Sequence, residues 1–305
     1  MEEKFYSFNK YLKNKFGCKV YRIPLNTGLS CPNKINGNTG CIYCDEFGSG
    51  ASYYPKEIKS ISDQVNFSME MFSKKRKAKL FYVYFQSYSN TFGNTSTLKK
   101  MYDSSLIDDR IKGIIIGTRP DCINNEILDL ISSYTKKYDV WIELGLQSSN
   151  NNTLKWLNRG HTSEDYLAAV LLCKKYNIKT TAHIIIGLPY ESKYQMIETG
   201  KFAGISGIDG IKIHSLYIIK NTQLDKIYKQ KKFNLLTAEE YSEIVVEILE
   251  YLPESIVIHR LTGETDSDRI TAPDWVKNKN KVLEIIKNRI ILLNSYQGKK
   301  LSAER

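Results

Sequence analysis

The sequence predicts an α/β fold, a parallel sheet curved into an open or partial barrel, and three observations point there. Six short apolar runs alternate with amphipathic stretches, as in repeated βα units. The length of 305 residues exceeds the usual single domain but suits an α/β barrel of about 200 to 250 residues with appendages. The pattern also changes near residue 230, where strand-like runs give way to long helical periodicity.

Taken in order, the first 16 residues read as an amphipathic helix. Strands are expected at Val20 to Leu25, Leu80 to Phe85, Gly113 to Gly117, Val140 to Leu146, Thr180 to Gly187 and Gly210 to Ile218. Helices are expected near 57–76, 95–107, 124–136, 151–157, 163–176 and 192–203, and strands joined by helices imply parallel pairing. In the tail, Thr237 and Glu240 form a capping-box pair ahead of Tyr241, Ile244, Val245, Ile248, Leu249 and Leu252 at helical spacing, until Pro253 stops the run. A short β-rich piece at 255–261 and a helix near 276–293 follow, and the last ten residues are expected to fray. The expected organisation is an N-terminal helix at 1–18, the barrel at 19–230, and a mainly helical C-terminal extension at 231–305 packing on the barrel.

A hydrophobic content of 42% with 25% charged residues is globular composition, which excludes a disordered chain. No run of 18 apolar residues or signal-peptide core occurs, so no membrane partner is expected and the compartment is read as cytoplasmic. The formal charge of +11 favours polyanionic partners, although lysine stretches such as 74–77 and 229–232 equally suit a solvated face. Six cysteines in a reducing compartment read as metal ligands or buried thiols rather than disulfides.

The strongest local motif is CPNKINGNTGCIYC, in which Cys31 precedes the CxxC pair Cys41 and Cys44, directly after the first strand. Three thiolates from one glycine-containing loop make a ready metal site. A structural zinc ion wants a fourth ligand, and no histidine occurs before His161. A [4Fe-4S] cluster on three thiolates keeps one iron open for a small chelating cofactor. On spacing alone, cluster, zinc and unligated thiols all stay open.

Read together, the cysteines, YFQSYSNT (84–91), GTRPD (117–121), ELGLQS (143–148), NRGH (158–161), HIIIGLP (183–189) and IKIHSLY (211–217) resemble the radical S-adenosylmethionine (SAM) family. More narrowly they resemble its bacterial branch similar to the catalytic subunit of Elongator, and HRLTGE (259–264) with APDW (272–275) extends the likeness over nearly the whole chain. The resemblance implies a partial (βα)6 TIM-like barrel with the cluster at the C-terminal ends of the strands. It also implies two cofactors, a [4Fe-4S] cluster and SAM, with reductive cleavage of SAM to a 5′-deoxyadenosyl radical that abstracts a substrate hydrogen.

On that basis Cys31, Cys41 and Cys44 are the expected cluster ligands. Tyr43 matches an aromatic position near the adenine, or else packs on the barrel. Gln86 and Ser87 can accept the cofactor's ammonium hydrogens, and Gln147 in ELGLQS is a further cofactor-binding candidate. The methionine carboxylate needs a cation, Arg119 or Arg159, with Arg159 preferred and Arg119 kept as a catalytic candidate. Glu143 can accept from the ribose hydroxyls, and Gly187 suits close backbone approach to adenine. His214 is the expected substrate contact, whereas His183 and His259 read first as core groups. Cys18 and Cys173 read as structural, and Cys122 is the one other cysteine with a reactive role to test. Tyr190 stands where the family usually has glycine and either narrows the cofactor mouth or points to solvent.

The leading functional reading is radical modification of a wobble uridine side chain in tRNA. It implies tRNA as partner, an electron donor of flavodoxin or ferredoxin type, and room for a partner methyltransferase acting on the product. A radical enzyme acting on a small metabolite or protein, and a zinc-stabilised RNA-binding module, are the competing readings. The Elongator subunit's acetyltransferase part has no counterpart in this sequence, so acetyl-coenzyme A chemistry is not carried over.

Overall fold

The computed structural model describes residues 4–302 except 36, 38, 47, 49–53, 56 and 232, so two positions of the cysteine loop and the last lysine of the 229–232 stretch lie outside the described residues. Helix α1 (Phe8–Phe16) opens the chain, capped by the Ser7 hydroxyl and closed by Gly17 in the left-handed region. Strand β1 (Val20–Leu25) follows, and after the cysteine loop come α2 (Ile61–Arg76), β2 (Leu80–Phe85), α3 (Thr95–Asp103) and β3 (Ile111–Thr118). The alternation continues with α4 (Asn125–Tyr134), β4 (Asp139–Gln147), α5 (Asn151–Trp156), α6 (Ser163–Lys175), β5 (Lys179–Ile186), α7 (Lys193–Ile205) and β6 (Gly210–Ser215). The tail holds β7 (Ile218–Ile219), α8 (Gln223–Gln230), α9 (Ala238–Glu250), β8 (Val257–Arg260), β9 (Ile270–Ala272), α10 (Lys279–Leu292) and α11 (Lys299–Ser302).

Seven strands pair in the order β1-β2-β3-β4-β5-β6-β8, all parallel, in a curled half-barrel whose edges are β1 and β8. Six are the expected strands. The seventh, β8, falls in the β-rich piece at 255–261, so the C-terminal segment supplies barrel as well as helix. All nine residues of central β4 are buried, as a parallel strand covered on both faces requires. Outward residues such as Ile23, Leu25, Val83, Phe85, Ile114 and Ile116 meet the helices in the largest core.

Inward residues at the N-terminal end of the strands form a second core, Val20, Tyr82, Tyr84, Ile115, Trp141 and Val257, closed from below by Phe8 and Leu12 of α1. The Ser7 backbone bridges to Ile258 of β8, which holds α1 across that end. Under it Asp139 accepts from Lys15 at 2.7 Å, Lys179 at 2.8 Å, Tyr11 at 2.8 Å and the Trp141 indole at 2.9 Å. Burial opposes ionisation of Asp139, but these hydrogen bonds outweigh it and hold the carboxyl well below its usual range. Contrary to the expectation of fraying, Gln297 is buried near the C-terminus, accepts from the Tyr6 amide at 2.9 Å and donates to the Ile256 carbonyl at 2.8 Å. The barrel is therefore plugged below and open above, where the cysteine loop lies.

Candidate active site

The cysteine loop runs over the C-terminal ends of the strands because backbone contacts pin it there. The Ile42 amide donates to the Leu157 carbonyl at 3.1 Å, the Leu224 amide donates to the Ile42 carbonyl at 2.8 Å, and the Asn158 side chain donates to the Gly40 carbonyl at 2.8 Å. Beneath the loop, Ile42 packs with Leu157, Ile185, Leu188, Leu216, Ile218 and Leu224. Cys31, Cys41 and Cys44 line one cavity there, together with Tyr43, Gln86, Arg119, Glu143, Gln147, Arg159 and His214. Among the described residues no group of three His, Cys, Asp or Glu side chains is placed to hold a metal ion. The thiols line a cavity wall rather than forming a closed shell.

Cationic and amide donors surround the thiols. Arg159 Nη1 lies 3.6 Å from the Cys41 sulfur, Asn33 Nδ2 3.5 Å from it, and Arg119 Nη1 3.8 Å from the Cys31 sulfur. Burial pushes the Cys41 thiol up, but the charge and hydrogen bond of Arg159, with Arg119 and Asn33, bring it below its ordinary value. That is the direction thiolate ligation needs. The two arginines differ in availability. Arg119 is clamped by both oxygens of Asp121, at 2.8 and 2.7 Å, whereas Arg159 donates to the Gly145 carbonyl at 2.9 Å and keeps a buried Nε without a partner. Gln147 Oε1 is likewise buried and unpartnered, at a left-handed backbone position (φ 71°) where the β4–β5 register shifts. Buried polar atoms are seldom left unpaired, so an unpaired donor and acceptor on one cavity wall fit a zwitterionic ligand with a carboxylate and an ammonium.

Deeper in the barrel lies a charged layer. Glu143 on β4 accepts from Lys212 on β6 at 2.7 Å and from Tyr84 on β2 at 3.0 Å, and His183 Nδ1 stands 3.3 Å away. Burial penalises the Glu143 carboxylate, but Lys212 and His183 outweigh it and hold its pKa well below the usual range. Burial lowers Lys212 to about 8, with Glu143 opposing. His214 Nδ1 lies 2.8 Å from the Ser215 carbonyl, which places the proton on Nδ1 and leaves Nε2 as a lone pair. Burial first, then the nearby His183 and Arg260, keeps His214 neutral.

The structure brings most of the expected residues together and corrects several. Ser87 does not line the cavity: it lies past the end of β2, where Tyr88 turns the chain at φ 62°, and Ser89 takes the place at Cys31, 3.7 Å from its sulfur. Gly187 sits just past β5 with φ 97° and also lies outside the cavity lining, so its left-handed turn rather than a ligand explains the glycine there. Arg119, kept as a catalytic candidate, is committed to Asp121 and stands beside Cys31. Glu143, expected free for ribose, is already paired. Its partner Lys212 carries no spacing signal, though it stands at the inward alternation two residues before His214. His259 is a core group, stacked on Phe8 at 4.0 Å. Tyr190 points to solvent at 70% exposure, edge-on to Trp156. Cys122 is buried and its thiol is pushed up to about 12, first by burial and then by Asp121, opposite to the direction a reactive thiolate needs.

Comparison with known proteins places this geometry. A family model described as the radical SAM superfamily matches residues 30–203, and one described as the Radical_SAM C-terminal domain matches 208–291. An uncharacterized protein of Methanocaldococcus jannaschii, MJ0486, is 38% identical over 292 residues, covering 93% of this chain and 90% of that protein. The protein YhcC of Escherichia coli is 32% identical over 277 residues, covering 89% and 87%. More distantly, a protein named tRNA uridine(34) acetyltransferase in Methanocaldococcus infernus is 29% identical over 179 residues, covering 56% of this chain and 32% of that protein. Among solved structures, Elp3 of M. infernus superposes with a TM-score of 0.70 at 18% identity over 91% of this chain and 64% of that one, a likeness of fold.

Proposed function

The chain belongs to the radical SAM superfamily, and on that premise we propose that it modifies the side chain of the wobble uridine of tRNA. Its cofactors are a [4Fe-4S] cluster and SAM. In this reading Cys31, Cys41 and Cys44 hold the cluster, Arg159 takes the carboxylate of SAM, and Gln147 takes its ammonium. Bound there, the pair supplies one-electron cleavage of SAM and the radical that removes a substrate hydrogen atom. The single observation that supports the site assignment is the pair of unpartnered atoms, Arg159 Nε and Gln147 Oε1, on the wall that carries the thiols.

The chain's own residues have the remaining tasks. Arg159 stands beside the sulfur of Cys41 and favours its thiolate, and Arg119, fixed by Asp121, stands beside the sulfur of Cys31. His214, neutral with Nε2 as an acceptor, faces the cavity and can hold a substrate N–H or O–H. Support for the tRNA substrate comes from the +11 formal charge, which suits a polyphosphate partner, and from the printed name of the distant M. infernus relative. A chemically suited substrate is 5-carboxymethylaminomethyluridine, whose carboxymethyl part would leave as glyoxylate once the substrate radical passes one electron to a one-electron carrier and water hydrolyses the resulting imine. The hydrogen taken lies between an amine and a carboxylate, and both stabilise the radical left behind. Nucleoside mass spectrometry of tRNA from a deletion strain should show the unprocessed uridine accumulating and complementation restoring the profile. An unchanged profile would overturn the tRNA reading.

A further inference from the structure

We propose that the lateral gap of the half-barrel, between edge strands β1 and β8, is a subsite for an oxyanion group of the substrate, carboxylate or phosphate, held by Arg22 and Arg260 with Lys212 beside them. The assignment rests on the reading that the barrel cavity receives the substrate, but not on that substrate being tRNA.

A second cavity opens there, walled by Pro24, Tyr54, Phe67, Met71 and Phe72, and it shares Tyr84, Gln86, Lys212, Arg260 and Glu264 with the cavity under the cysteine loop. Arg22 lies on the inward side of β1, opposite in sense to Ile23 and Leu25, which enter the outer core. Arg22 is exposed within that gap, where a ligand can reach its guanidinium. Among the described residues Arg22 makes no hydrogen bond or ion pair. The Phe8 ring lies 5.7 Å from its guanidinium carbon. Arg260 approaches Glu264 only at 3.4 Å, and Glu264 is already shared with Lys279 at 2.5 Å. Lys212 is taken by Glu143.

The cavity therefore gathers Arg22, Lys212 and Arg260 against Glu264, which also serves a fourth cation, Lys279, while Glu143 holds Lys212 from the adjoining cavity. The two guanidiniums also sense each other. Loss of solvation in the gap first and Arg260 second lower the proton affinity of Arg22, against the opposing pull of Tyr84, Glu143 and Glu264. Guanidinium pairs bind carboxylate and phosphate in a fixed planar geometry, so an anion here would be oriented as well as bound. Because the gap joins the main cavity through Tyr84 and Lys212, such an anchor would hold the rest of the substrate toward the thiol-lined wall.

The test is a titration of the full chain, reconstituted with iron and sulfide under anaerobic conditions and with SAM present. N-methylglycine is the carboxylate probe, inorganic phosphate the phosphate probe and sodium chloride the ionic-strength control, with thermal stabilisation as readout. Wild type should gain stability saturably with at least one probe, and Arg22→Gln should shift half-saturation about tenfold or more to weaker binding. Arg22→Lys should recover part of the response, and Lys13→Gln, the same charge change on the exposed face of α1, should leave it intact. Response to N-methylglycine alone assigns a carboxylate, response to phosphate alone a phosphate, and either supports the subsite. Equal responses in wild type and Arg22→Gln, or none beyond the chloride control, would overturn it. No tRNA enters the titration, so anion binding alongside an unchanged tRNA profile keeps the subsite and discards the nucleoside. The converse pair of results discards the subsite alone.

Discussion

At the residue scale, Gly145 controls the cavity wall. A β-carbon there would lie 2.3 Å from Arg159 Nη2 and 2.6 Å from Gln147 Nε2, so Gly145→Ala must displace both groups assigned to SAM. Equilibrium dialysis with labelled SAM should show affinity falling about tenfold or more, the worth of one charge-assisted hydrogen bond. Unchanged affinity would remove Arg159 and Gln147 from the binding site. The buried pair beneath makes a second prediction. Lys212→Met strands the Glu143 carboxylate and should cost about 3–5 kcal/mol in urea denaturation, whereas adding Glu143→Gln should recover most of that loss. These residues also mark how far the sequence could be read. The thiols were legible because one loop holds them at ligand spacing, and Arg159 because its NRGH segment resembles a known one. Lys212, Tyr84 and Arg22 were not, because a single inward polar residue on an apolar strand acquires meaning only when its partners on other strands are known.

Elements were more legible than contacts. Strands β1 and β2 begin and end where their apolar runs do, and the Thr237–Glu240 capping box forms as the residues require. The seventh strand was recognised as β-rich but not as barrel, because β8 has four residues and pairs with β6 only after β7, α8 and α9 intervene in the chain. Helix α1 was legible as a helix, but not as the plug of the barrel. Its role follows from Phe8, which stacks on His259 and meets Trp141 edge-on at 5.8 Å. Phe8→Ala should therefore cost about 3–5 kcal/mol, as for a core aromatic and not for a surface helix. A loss below about 1 kcal/mol in the urea midpoint would place α1 outside the cooperative unit.

At the scale of the whole molecule, all four histidines are held neutral. Burial lowers His161 and His183 to about 4 and His259 to about 3, and keeps His214 well below its ordinary value. Between those values and about 6.5 the unfolded chain binds more protons than the folded one, so stability must fall as pH drops through that window. Each histidine contributes up to about 1.4 kcal/mol per pH unit, lost from about pH 6.5 down to about pH 4 for His161 and His183 and to about pH 3 for His259. Urea midpoints at pH 7.5 and pH 5 should differ accordingly, and equal midpoints would contradict the neutral, buried assignment.

The central claim is that three thiols of one loop hold the cluster that cleaves SAM. The most direct measurement is release of 5′-deoxyadenosine after anaerobic reconstitution, dithionite reduction and addition of SAM with bulk tRNA, beside the Cys31→Ala, Cys41→Ala, Cys44→Ala variant. Release by the wild type together with bound iron and sulfide, and neither in the variant, is the expected result. Equal release from both proteins, or a wild type that binds zinc in place of iron and releases nothing, would contradict it.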